Sequence, residues 1–184
     1  MYGAKELTEG FRTVRVNTIQ IAQDIPADKY DFKAAPGVKS VGEMLAHLAI
    51  SPRWQSAVHG ERMTSIDFAF FGTRLAQAAA EEQALRTKEQ IVAALQEGGD
   101  QFATFLAGLT PEVLSETVTL PSAVQPSAKT RFEMLLGVKE HEMHHRAQLM
   151  LVQRLLGQVP HLTRARQQVQ AQAQAQVASA RSGS

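Results

Sequence analysis

The most constraining stretch of the chain is its longest helical segment, about Arg131 to Leu156, because it carries three histidines in "KEHEMHHRAQL". Gly157 and Pro160 end it in the order that stops a helix. On a helical wheel Met134, Val138, His141, His145, Gln148 and Val152 form one stripe, apolar above and below and polar in the middle. Residues four apart stand one above the other on a helix, with Cβ atoms about 5–6 Å apart. Two imidazoles at that spacing can share a metal ion. The stripe is expected to face a core, where imidazoles without partners are costly. A metal would supply the missing partner for His141 and His145.

The rest of the chain reads as helix as well. Leu7, Phe11, Val14, Thr18 and Ile21 recur at helical spacing within about Ala4 to Asp24. "APGVKS" (35–40) reads as a turn, and Ser40 with Glu43 forms a capping-box pattern. A second helix is expected from there to about His59, kinked or split by Pro52. Residues 60–80 are ambiguous between loop and helix. A third main helix starts at Thr87, again with a capping-box partner at Gln90, and runs through Gly98-Gly99 to Gly108. Pro111 to Leu114 reads as one helical turn, and residues 118–130 as a loop with two prolines. Strand signals are weak. Beyond Pro160 the sequence is low in complexity, a frayed helix or a disordered tail. The reading is an all-α four-helix bundle over residues 1–160, with a low-complexity Ala/Gln tail over 161–184.

Composition excludes several functions. The chain has 184 residues, enough for one domain with a sizeable core. It has 19 basic and 18 acidic residues and no long basic run, so no nucleic-acid partner is expected. There is no cysteine, which rules out disulfides, thiolate metal sites and a thiol nucleophile of its own. No leader-like segment and no stretch of roughly 20 apolar residues is seen, so the expected setting is cytoplasmic, without a membrane partner.

"HEMHH" also matches H-E-x-x-H, in which Glu142 would be the general base of a zinc protease. No Asp or Glu follows Glu142, and Gln148 stands where the extended motif needs Gly. A third ligand is therefore sought upstream, where His47 lies in "GEMLAHLAISPRW" on an otherwise apolar helix. A histidine on such a face is by itself more often structural. Three histidines with open positions would make a reactive site. His59, beside Gly60, is expected to stabilise a helix C-terminus, and His161 to face solvent in a loop. His144 flanks the stripe as a pocket wall or a support to the ligands. Trp54, seven residues after His47, reads equally as a pocket wall or a core aromatic. Gln148 is positioned to hold a ligand's second nitrogen. Arg53 and Arg146 are expected on the surface.

With "MLAHLA" (44–49) and "HEMHHRAQL" (141–149) the chain resembles the DinB-like (DinB/YfiT-type) metalloenzyme superfamily over roughly residues 4–160. The resemblance implies an up-down-down-up four-helix bundle and a ligand triad of His47, His141 and His145. It implies one divalent ion, nickel or zinc. Related branches pair the metal with a low-molecular-weight thiol, as bacillithiol S-transferases and mycothiol-dependent isomerases do. The expected activity is therefore a metal-dependent S-transfer with an external thiol and a small-molecule substrate, from a homodimer. The alternative is a non-catalytic metal-binding or stress-response bundle. Ala147 stands where the family often has Gly, and Pro52, five residues after His47, is not part of the motif.

Overall fold

The structure, a computed structural model, describes residues 2–182. Four long segments build it: α1 (Ala4–Asp24), α2 (Val41–Ile50) continued by α3 (Pro52–Gly60), α5 (Lys88–Ala107) and α7 (Arg131–Leu155). Between them lie α4 (Phe68–Ala84), α6 (Pro111–Ser115) and the strands β1 (Thr117–Thr119) and β2 (Ala128–Thr130). Helix α8 (His161–Ser182) ends the chain. Local sequence sets the starts. Ser40 and Glu43 cap α2 reciprocally, at 3.2 and 2.6 Å. Thr87 with Gln90 and Thr130 with Glu133 do the same for α5 and α7, each satisfying N–H groups that a helix leaves unpaired.

The direction of each helix follows from what packs at each end. One apolar cluster joins the C-terminal half of α1 (Ile21, Ile25) to the start of α2 (Val41, Leu45), the start of α5 (Ile91, Leu95) and the end of α7 (Leu149, Val152). Another joins the N-terminal half of α1 (Leu7, Phe11) to the end of α5 (Phe102, Leu106) and the start of α7 (Leu135, Val138). Helices α1 and α7 therefore run one way, and α2–α3 and α5 the other. The result is an up-down-down-up four-helix bundle in which α1 and α2 each pack against both α5 and α7. Among the described residues no helix is long and apolar enough to cross a membrane.

Pro52 splits the second segment, and the split is used. Lacking an N–H, Pro52 leaves the Leu48 carbonyl without its helical donor. Arg15 Nη2 donates to that carbonyl at 2.9 Å and to Glu142 Oε2 at 2.8 Å, while Nη1 donates to the Leu95 carbonyl at 3.1 Å. One guanidinium thus ties α1 to α2, α5 and α7 at the centre of the bundle. Gly98-Gly99 makes room for it. A Cβ at Gly99 would lie 2.8 Å from Arg15 Cγ, and one at Gly98 would lie 3.2 Å from the Ala49 carbonyl oxygen. The pair does not interrupt α5.

Four expectations change. The 118–130 segment is not all loop: β1 and β2 pair antiparallel, Thr117 opposite Thr130, and Ile66 and Thr119 stitch the preceding chain to β1. Buried Val118 then packs with Val58, Ile66 and Met134. The ambiguous 60–80 stretch becomes the start of α4, capped by Asp67 and burying none of its residues. His59 lies in the last turn of α3 as expected, but it is buried and engaged by side chains. Its Nε2–H donates to Gln55 Oε1 at 2.9 Å, and its Nδ1 accepts from Arg131 at 3.1 Å. His161 opens α8 rather than sitting in a loop, and its Nε2–H donates to Asn17 Oδ1 at 2.9 Å. From Arg164 to Ala180, α8 is exposed, and residues 183–184 lie outside the described residues.

Candidate metal centre

Helix α2 presents His47 toward α7, where His141 and His145 stand one turn apart. His47 Nε2 lies 3.1 Å from His141 Nε2, and His145 Nε2 lies 3.2 Å from the same atom. One ring nitrogen from each residue falls within 4.8 Å of the other two. Nitrogens bound to one ion at 2.0–2.1 Å in a tetrahedron are about 3.3 Å apart. The spacing already matches a shared cation.

The outer nitrogens decide which atoms face inward. His47 Nδ1 lies 2.7 Å from Glu82 Oε1. A carboxylate only accepts, so in the neutral ring the proton is on Nδ1 and His47 Nε2 carries the lone pair. His145 Nδ1 lies 2.9 Å from Gln148 Oε1, while Gln148 Nε2 donates to His144 Nε2 at 3.1 Å. His145 Nε2 therefore also carries a lone pair. Two acceptors converge on His141 Nε2, which offers at most one proton. The arrangement is short of positive charge at its centre, and a divalent cation fits that shortage. An all-imidazole donor set suits zinc, nickel and related transition metals.

Burial disfavours the charged form of His141 and His145. Loss of solvent pushes His141 down to about 4, with the neighbouring histidines adding to the effect. His145 is lowered by burial too, against the opposing hydrogen bond to Gln148. His59, buried beside Arg131, also falls to about 4. In the unfolded chain these rings titrate near 6.5. Below that pH the unfolded state binds more protons, so this contribution to stability is complete above about pH 6.5 and fades as pH falls toward 4. Melting of the chelator-treated protein across this window is expected to show a falling transition temperature on acidification. A flat profile from pH 7 to 5 would show that the rings are not held neutral.

The remaining candidates separate. Gln148 touches His145 as anticipated. His144 is exposed and does not line the cavity; its ring stands edge-on to that of His145 at 5.2 Å, and its Nε2 accepts from Gln148. Trp54 lines a cavity of about 470 Å³ beside His47 and His141, its ring edge-on to Phe71 at 6.3 Å. Arg53 pairs with Glu81 at the surface. Glu142 is buried against Arg15 and does not line the cavity, which removes it as a catalytic base. Glu82 was not anticipated. It sits in the ordinary-looking "AEEQA" of α4, where no pattern marks it, and its other oxygen accepts from Lys39 at 3.2 Å.

The family model of the DinB superfamily matches residues 11–149. The chain belongs to the DinB superfamily. Two solved structures share the fold of this DinB member. A DinB-like protein of Bacillus subtilis, YjoA, superimposes with a TM-score of 0.62 at 22% identity, covering 84% of this chain and 93% of its own. YfiT of Bacillus subtilis gives 0.64 at 18% identity, covering 84% and 88%. No curated protein matches the chain.

Proposed function

We propose that this DinB protein is an enzyme that holds one divalent cation, nickel or zinc, on His47, His141 and His145 and uses it with an external low-molecular-weight thiol to attack a small electrophile. The observation that carries the reading is the pair of imidazole lone pairs locked onto one central nitrogen by Glu82 and Gln148. Bound there, such a cation lowers the pKa of a thiol or a water and so supplies a nucleophile at neutral pH.

The chain's own residues favour the thiol. Three protein ligands leave room for an incoming group. Among the described residues the carboxylate nearest in the hydrogen-bond network, Glu82, is engaged by His47 and Lys39, so it is not available to take a proton from water. The chain has no cysteine, so sulfur has to arrive with a cosubstrate. YfiT is described as a probable metal-dependent hydrolase, which makes water the competing nucleophile.

A panel of electrophiles assayed with the metal-loaded protein, with and without low-molecular-weight thiols, separates these. Thiol-dependent turnover, lost in His145→Ala, is the expected result. Turnover without thiol would assign a hydrolase, and no turnover under either condition would leave a metal-binding bundle without catalysis.

A further inference from the structure

We propose that the cavity beside the three histidines is a slot for an elongated apolar anion, with its charged end on Lys129 and its other end at His47 and His141. The inference extends the reading above, because it names the chemical class of molecule that reaches the same site. The cavity, about 470 Å³, follows one face of α7 through Glu133, Met134, Gly137, Val138 and His141. Eight residues of helix make it about 12 Å long. Its opposite wall is apolar, built from Trp54, Phe68, Phe71 and Leu75 on α3 and α4 and Leu120 beyond β1.

Two features are unexplained by the fold alone. The first is Gly137, in the interior of α7. Glycine there weakens a helix relative to alanine. Yet a Cβ at Gly137 would meet nothing within 4 Å, so no neighbour requires its absence. What the glycine does is keep the floor of the slot open. The second is Lys129. It sits on β2, opposite Val118, at the end of the slot away from the histidines, and it is half-buried. Among the described residues it makes no ion pair. Glu133, the carboxylate beside it, interacts with Lys129 through space and hydrogen-bonds to the start of α7, where Oε2 accepts from the Thr130 N–H and hydroxyl, both at 2.8 Å. With both hydrogen bonds of the Glu133 Oε2 committed to the start of α7, the Lys129 ammonium is the group at that end of an otherwise apolar cavity that favours a negatively charged ligand end.

The test uses two probes that share one apolar body, the anion 8-anilinonaphthalene-1-sulfonate and its neutral parent N-phenyl-1-naphthylamine. Fluorescence titration of the full-length protein is expected to give saturable binding of both. Lys129→Gln lowers the affinity for the sulfonate relative to the neutral probe by about tenfold, whereas Lys5→Gln, on the outer surface of α1, leaves the ratio unchanged. Gly137→Leu fills the slot and weakens both probes, while Gly137→Ala raises the melting temperature, showing that the glycine is not there for stability. An unchanged ratio in Lys129→Gln, or wild-type binding in Gly137→Leu, would overturn the proposal. Metal-free His145→Ala still binds both probes, so a failed slot and a failed metal site give different results.

Discussion

Glu142→Ala destabilises the metal-free protein by about 3–5 kcal/mol in urea denaturation. Arg15 and Glu142 are 3% and 1% exposed, and the guanidinium meets Glu142 Oε2 through both Nε and Nη2, at 3.1 and 2.8 Å. Removing the carboxylate leaves a positive charge in the core that water cannot reach. Because Arg15 also holds carbonyls of α2 and α5, the loss spreads to every helix of the bundle. The pair itself is not fully satisfied, since Glu142 Oε1 is buried without a partner. Replacing both residues, as Arg15→Met with Glu142→Leu, is therefore expected to cost far less than the sum of the single changes. A loss below about 1 kcal/mol in Glu142→Ala would mean that the ion pair does not hold the centre together.

The second large effect is on metal affinity. His141→Ala removes the nitrogen toward which both neighbouring rings point, and is expected to abolish stoichiometric binding. Glu82→Ala and Gln148→Ala keep all three ligands but remove the acceptors that fix the Nδ1 protons of His47 and His145, so each weakens binding about 10–100-fold. Competition with a chromophoric chelator measures both. Glu82→Ala is the sharper case. It sits on α4, which buries none of its residues, so its loss leaves the core intact. Wild-type affinity in Glu82→Ala would show that the bond to His47 orients nothing.

Much of the fold was legible because capping boxes and helix-breaking residues act locally. Ser40 with Glu43, Thr87 with Gln90, and Gly157 before Pro160 mark the helix limits in the sequence as they do in the structure. The β-hairpin was missed because three-residue strands are too short to show an alternating pattern. The stripe on α7 was read about 55° off centre. The line that faces the core is Leu135, Val138, Glu142, Leu149 and Val152, while His141 and His145 lie at its edge, half-buried, and Gln148 is exposed. Nothing local in the sequence marks Glu142 as a core residue, because its partner Arg15 is 127 positions away. Periodicity brought out His141 and His145, since both lie on one helix. His47 needed the family resemblance, and Glu82 needed the fold, because only packing of α4 over α2 places it.

The central claim is that three histidines from two helices hold one divalent cation. Elemental analysis of protein produced without a histidine tag in metal-replete medium, wild type beside His47→Ala, tests it most directly. One equivalent of nickel or zinc is expected in the wild type and far less than one in His47→Ala. A wild-type protein carrying no stoichiometric metal, or a His47→Ala variant retaining a full equivalent, would contradict it.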